Sequence, residues 1–354
     1  METIALDKNS RLASYQEMLP DKAVRCLLCP HQCLLQEGKL GICLTRLNRD
    51  GNLYSLAYGN PCSVSVDPIE KKPLFHFFPG TKIYSLATAG CNFRCLNCQN
   101  WQISQASPQS AGHYDLLPED LIKEALRHGT NSIAFTYTEP TVFYEYMYDT
   151  AMAAHEKGLK TVLISNGFIN EKPLLDLCPT LDAANIDLKC FDDAIYHRLT
   201  GGRLQPVLDT LKTLKEQGVW LEITNLLIPG YSDSTEMIQR MCDWLVEKGF
   251  ENTPIHFSRF FPTFQLPEVP PTPESILQKA AQIAGKAGMN YVYIGNHQGL
   301  QGENTSCPAC NQLLIERTGF VVRKNLMHEG CCGFCGEKIA GVWELTQPTD
   351  KNRV

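Results

Sequence analysis

The sequence predicts an α/β fold, a partial (β/α)6 barrel of parallel strands with a cysteine-rich segment before it and a ribbon-like segment after it. Three observations carry this expectation. Between residues 79 and 300, short apolar β-branched runs alternate with longer amphipathic stretches, and strands separated by helices pair in parallel through right-handed crossovers. Gly158, Gly218, Gly249 and Gly288 each follow a helical stretch closely, where C-terminal caps fall. Twelve of the 16 cysteines gather in three groups, within 26–43, 91–98 and 307–335.

The expected strands run over Lys82–Thr88, Ser132–Tyr137, Lys160–Ser165, Ala183–Leu188, Val219–Leu226 and Pro254–Phe260, with a further short run at Tyr291–Ile294. Helical patterns fill the gaps at Glu119–His128, Val142–Lys157, Lys172–Leu177, Pro206–Gln217, Thr235–Lys248 and Glu274–Ala287. Six βα units suit a partial barrel better than an open two-domain sheet, and functional residues of such barrels sit at the C-terminal strand ends. The chain divides accordingly into a cysteine-rich metal-binding segment (1–78), the barrel (79–300), a ribbon-like segment (301–345) and a tail (346–354).

Composition narrows the function. A net charge of −6 gives no electrostatic case for nucleic-acid or membrane partners. No run of ~18 apolar residues suggests a transmembrane helix. The opening METIALDKNS lacks an apolar signal core, so a cytoplasmic location is expected. That compartment keeps thiols reduced, which turns clustered cysteines toward metals rather than disulfides.

The group that carries chemistry follows the first barrel strand, as Cys91-x3-Cys95-x2-Cys98. Three thiolates this close can converge on one face of an iron–sulfur cubane, whereas ferredoxin clusters take four. The next cysteine is Cys178, so a 4Fe–4S cluster here has one open iron, the mark of a catalytic rather than a structural metal site. The alternative is structural zinc, for which neither His76 nor His113 is obviously placed as fourth ligand.

This loop, with aromatic Phe93 before its second cysteine, resembles the radical S-adenosylmethionine (radical SAM) superfamily. The string DPIEKKPLFHFFPG (67–80), with CQNWQIS (98–104), is similar to a narrower group, the pyruvate formate-lyase activating enzyme relatives of the AmmeMemoRadiSam system. The resemblance runs over roughly residues 26–297 and implies a TIM-like partial barrel of the radical SAM type. It implies that the open iron chelates the methionine end of SAM, and that an electron splits SAM to methionine and a 5′-deoxyadenosyl radical, which abstracts hydrogen from a substrate. The protein positions, tunes and excludes side reactions.

The remaining motifs fall near expected strand ends. Thr138-Glu139-Pro140 stands where the family carries Gly-Gly-Glu-Pro, which implies that Glu139 accepts from the methionine ammonium with help from the Thr138 backbone. Ser165-Asn166-Gly167 resembles Thr-Asn-Gly and implies a ribose or carboxylate contact for Asn166. Asp187-Leu188-Lys189 matches Asp-Leu-Lys. Alternation points both charges to one face, where they serve a ligand or form a plain salt bridge. His256 resembles a histidine that reaches the ribose, and reads equally as a core histidine.

Two four-cysteine sets flank the barrel. Cys307-x2-Cys310 and Cys332-x2-Cys335 read as a zinc ribbon, with rubredoxin-like iron as the alternative, and the Cys-Gly-x-Cys-Gly pattern favours Cys332 over Cys331. Cys26, Cys29, Cys33 and Cys43 suit structural zinc or an auxiliary Fe–S cluster. Expected partners are a reductant such as ferredoxin or flavodoxin and a protein, peptide or small-molecule substrate. The family resemblance adds MEMO-like and AMMECR-type proteins. A non-catalytic Fe–S or zinc scaffold is the competing reading.

Overall fold

A computed structural model describes residues 5–297 and 302–344; the expected tail 346–354 and the 300/301 boundary lie outside the described residues. Its main sheet has eight strands: β1 (Ser63–Pro68), β2 (Lys82–Ala87), β3 (Ser132–Phe135), β4 (Lys160–Ser165), β5 (Ala183–Asp187), β6 (Trp220–Leu227), β7 (Ile255–Arg259) and β8 (Val292–Gly295). They lie side by side in chain order, and β2 to β8 are all parallel. β1 pairs antiparallel on the outer edge of β2.

Helices cover the outside of the sheet. α1 (Trp101–Ser104) and α2 (Pro118–Arg127) join β2 to β3, α3 (Tyr144–Glu156) joins β3 to β4, and α4 (Glu171–Leu177) joins β4 to β5. α5 (Asp193–Thr200) and α6 (Leu204–Glu216) precede β6, α7 (Thr235–Glu247) precedes β7, and α8 (Glu274–Ala287) precedes β8. Every residue of β3 is buried, as strands covered on both faces require. α2 instead buries one stripe, Leu121, Ile122 and Ala125. The four glycines expected at helix ends all take positive φ, from 74° to 108°.

Three elements depart from the sequence-based expectation, the four-residue α1 being one. β1 belongs to the main sheet, so the sheet begins inside the segment assigned to 1–78. α5 carries its own cap, the Asp192 carboxylate accepting from the Ile195 N–H at 3.0 Å, but its eight residues are too few to show a clear period. The N-terminal segment forms two small three-stranded antiparallel sheets. The C-terminal unit is a three-stranded sheet plus a hairpin.

The entry ends of β6, β7 and β8 are sealed. Glu222 accepts from the backbone N–H groups of Phe75 and His76 at 2.9 and 2.7 Å. Arg317 of the C-terminal unit donates to the Phe75 carbonyl at 2.8 Å, and His76 Nδ1 donates to the Ala340 carbonyl at 2.6 Å. The opposite, C-terminal strand ends form the mouth.

Candidate active site at the strand ends

The cysteine loop leaves β2 through Gly90, at φ +104°. A Cβ there would stand 2.5 Å from Thr45 Cγ2 and 2.7 Å from the Cys43 carbonyl oxygen, so only glycine fits. The Phe93 ring is buried against Phe168 and Tyr196, with centroids at 5.1 and 6.1 Å, and anchors the loop from below. Gly202 makes room for it: a Cβ there would meet the ring at 2.2 Å. Arg94 ties the loop together, donating to the carbonyls of Cys91 and Phe93 at 2.9 and 3.0 Å and to that of Ile42.

The three loop thiols face a common group of charges. Burial pushes the Cys91 thiol well above its usual range, and Glu139, Cys95 and Cys98 push the same way. Burial also lifts Cys95 to about 12, against the pull of Lys189. Burial alone would lower Lys189, but Asp187 and Cys95 outweigh it and hold the ammonium protonated. Asn166, hydrogen-bonded to both Glu139 and Asn92, ties the loop that carries the three sulfurs to the ends of β3 and β4, and the Asp187–Lys189 ion pair stands at the end of β5. The sulfurs have local donors: the Phe93 N–H lies 3.3 Å from Cys91 Sγ, and the Ser104 hydroxyl 3.1 Å from Cys98 Sγ. Thiolate ligands, a nearby ammonium and N–H donors to sulfur suit an anionic iron–sulfur cluster, whose binding would displace the thiol protons.

Glu139 is fully buried and held at both oxygens. Its Oε1 accepts from Thr141 N, Thr141 Oγ1 and Ser165 Oγ at 3.0, 2.7 and 2.8 Å, and Oε2 accepts from Asn166 N at 2.8 Å. Burial raises its pKa while these donors oppose the rise. Oε2, with one donor, keeps acceptor capacity for a ligand cation. The Asn166 side chain donates to Asn92 Oδ1 at 2.8 Å and so braces the cysteine loop. Thr138 Oγ1 donates to the Thr88 carbonyl at 2.8 Å, which leaves its backbone at the mouth. Asp187 and Lys189 form an ion pair at 2.6 Å, part-exposed.

His256 is not gathered with this group. It is the second residue of β7, near the sealed end, and its Nε2 donates to Glu222 at 2.6 Å while its ring stacks on Tyr293. The core-histidine alternative describes that placement. Residues to which the sequence reading gives no role are Asn92, Ser104, Thr141 and Ser165. Ser104 and Ser165 lie inside quoted motif strings and Asn92 and Thr141 adjoin motif residues, and that placement is the one signal they carry.

The C-terminal set converges tightly. Cys307 and Cys335 sulfurs are 3.6 Å apart, those of Cys310 and Cys332 3.7 Å, and all four lie within 4.8 Å of one another. A tetrahedral ion with Zn–S bonds of ~2.3 Å places its sulfurs ~3.8 Å apart, so the spacing fits zinc. Cys332, not Cys331, completes the set.

A parallel barrel that gathers three thiols, a buried carboxylate and an ammonium at its strand ends defines a metal-dependent enzyme. Residues 85–245 match the model of the Radical SAM superfamily. The uncharacterized protein MJ0808 of Methanocaldococcus jannaschii is 46% identical over 331 residues, 93% of this chain and 98% of its own length. Pyruvate formate-lyase 1-activating enzyme of Escherichia coli K12 is 29% identical over 168 residues, 45% of this chain and 67% of its own. The crystal structure of Streptococcus suis SuiB bound to S-adenosylmethionine aligns with a TM-score of 0.48 at 15% identity, covering 64% of this chain and 53% of that one. The chain belongs to the radical SAM superfamily and is an enzyme with activating-enzyme-like relatives, which sets aside the scaffold reading. Among the described residues, no helix is long and apolar enough to cross a membrane.

Proposed function

We propose that this chain cleaves S-adenosylmethionine reductively and uses the product to abstract hydrogen from a protein or peptide, a backbone glycine being one such position. The single observation that carries the reading is that Cys91, Cys95 and Cys98 share one loop, which Asn166 ties to the buried Glu139, with the Asp187–Lys189 ion pair at the next strand end. The three thiolates would hold a 4Fe–4S cluster, which when bound supplies the electron that splits the sulfonium.

The chain's own residues do the rest. Glu139, pinned by four donors, offers Oε2 to the methionine ammonium. The Thr138 backbone lies beside it. Asn166 holds the loop through Asn92, and Phe93 fixes the loop's depth. Lys189, kept charged by Asp187, offsets negative charge on the cluster thiolates. His256 has no part in this reading.

Two features favour a protein substrate over a small molecule. Trp101, 40% exposed, stacks on Phe264 at 5.1 Å, and Phe261 is 45% exposed. Their segment is tied to the cysteine loop, Gln265 N–H donating to the Leu96 carbonyl at 3.0 Å, so apolar surface borders the mouth. The E. coli relative is named for a protein that it activates. A reductant such as ferredoxin or flavodoxin, MEMO-like or AMMECR-type partners and a cytoplasmic location complete the proposal.

The test is anaerobic reconstitution with iron and sulfide, then dithionite and SAM. The wild type should release 5′-deoxyadenosine, and Cys95→Ala should release none. Equal release from both proteins refutes the assignment of the site.

A further inference from the structure

The N-terminal cysteines differ from the C-terminal set in one physical respect. Four thiols of a zinc site close on one point, as the C-terminal sulfurs do at 3.6 and 3.7 Å. That set is the one such convergence among the described residues. Cys26, Cys29, Cys33 and Cys43 instead line one shared recess without closing on a single point. A single ion with ~2.3 Å bonds needs its sulfurs ~3.8 Å apart, while a cubane of four irons and four sulfides spreads the same four thiolate ligands more widely.

A second observation is independent of the spacing. Arg46 lines the same recess and is 1% exposed. One of its nitrogens donates to Glu145 at 2.8 Å, but Nε and Nη2 have no hydrogen-bond partner. Unpaired buried guanidinium N–H groups are costly, and sulfide and thiolate sulfurs of an anionic cluster are acceptors of the kind they lack.

The recess also adjoins the catalytic loop. Asn92 forms part of its wall, His31 Nε2 bonds the Asn92 carbonyl at 2.7 Å, and the Cys43 carbonyl is what a Cβ on Gly90 would strike. On the other side Ile42, 46% exposed, brings the wall to the surface.

We propose that Cys26, Cys29, Cys33 and Cys43 hold a second 4Fe–4S cluster, packed against the loop that carries the first. This goes beyond the proposed function and stands or falls separately from it.

The experiment reads metal content and spectra of the full chain after anaerobic reconstitution. Wild type should hold about eight iron and eight sulfide per chain, with about one zinc. The triple variant Cys91→Ser/Cys95→Ser/Cys98→Ser leaves the N-terminal set untouched; it should keep about half of the iron and show a 4Fe–4S signal by Mössbauer spectroscopy and, after dithionite reduction, by electron paramagnetic resonance. Cys29→Ser/Cys33→Ser should lose the other half and keep its zinc. A triple variant with about two zinc per chain and almost no iron overturns the proposal, as does iron present only as a mononuclear site. In either case the loss of iron with the loop cysteines would leave the radical SAM reading intact. If the triple variant instead matched wild type in iron, the catalytic assignment would fail.

Discussion

Replacing Gly90 with alanine perturbs the cysteine loop and the N-terminal cysteine segment through one methyl group. Its backbone sits at φ +104°, and an L-residue in the left-handed region costs ~1–2 kcal/mol. The added Cβ also meets Thr45 Cγ2 at 2.5 Å and the Cys43 carbonyl oxygen at 2.7 Å. The latter is backbone and cannot swing aside, so overpacking adds ~1–3 kcal/mol. The sum, ~2–5 kcal/mol, corresponds to a fall in Tm of roughly 3–7 °C for a chain of this length. Gly129→Ala is the control, because Gly129 has φ +64° and a methyl group added there meets nothing within 4 Å, so it isolates the backbone cost. The assay is thermal unfolding by circular dichroism together with iron content after reconstitution. Gly90→Ala should fall further than Gly129→Ala and lose iron, since relief of the clash must move the cysteine loop away from Cys43. Equal Tm for the two variants, with full iron in both, would refute the claimed contact between the N-terminal segment and the loop.

Glu139→Ala should weaken SAM binding by ~1.5–3 kcal/mol, the worth of a charge-assisted hydrogen bond, and calorimetry on the reconstituted protein measures it. Acid should loosen the sealed end of the barrel. Burial holds His76 down at about 4, so the folded chain keeps it neutral while the unfolded chain protonates below ~6.5. The stability tied to neutral His76 is therefore present above pH ~6.5 and lost as pH falls toward about 4, on the order of 3 kcal/mol in all. Glu222 acts in the same sense: burial would raise it, but the His256 bond lowers it, so its contribution is also lost in acid. Tm measured from pH 7 to 4.5 should drop more steeply for wild type than for His76→Gln; parallel curves count against the role of His76. Cys335→Ser should release about one zinc per chain in a colorimetric chelator assay and leave iron unchanged.

The barrel is legible in the sequence because its strands are buried on both faces and read as continuous apolar runs. The strand expected at Lys160–Ser165 and the helix expected at Glu274–Ala287 form over those same residues. β1 is not legible: Ser63–Pro68 is a half-buried edge strand within a turn-broken segment. Cys91, Glu139 and Asp187 can be singled out because their motifs end strands, and barrel topology brings strand ends together. That Thr141 and Ser165 hold the Glu139 carboxylate is not legible, although Ser165 sits in a motif, since the role of a short hydroxyl side chain depends on tertiary contact. The Glu222–His256 pair needs the register of β6 against β7 before the histidine can be assigned to the sealed end.

That sealed end gives the zinc-ribbon unit a place in the enzyme's working. Arg317 is fully buried beside Glu70 at 3.7 Å and donates to the Phe75 carbonyl, while Phe75 and His76 present their N–H groups to Glu222 inside β6. His76 uses both ring nitrogens, Nδ1–H toward the Ala340 carbonyl and Nε2 as acceptor for the Tyr293 hydroxyl, which demands the neutral ring. Each link is a polar group with its partner on a different segment, so docking of one segment favours docking of the next. A metal held by Cys307 to Cys335 would stabilise this unit, which supplies Arg317 and Ala340, and these in turn hold the 75–76 backbone against β6. The entry ends of β6 to β8 are thereby covered by protein, while Trp101 and Phe261 stand exposed at the opposite end, on segments that join the cysteine loop.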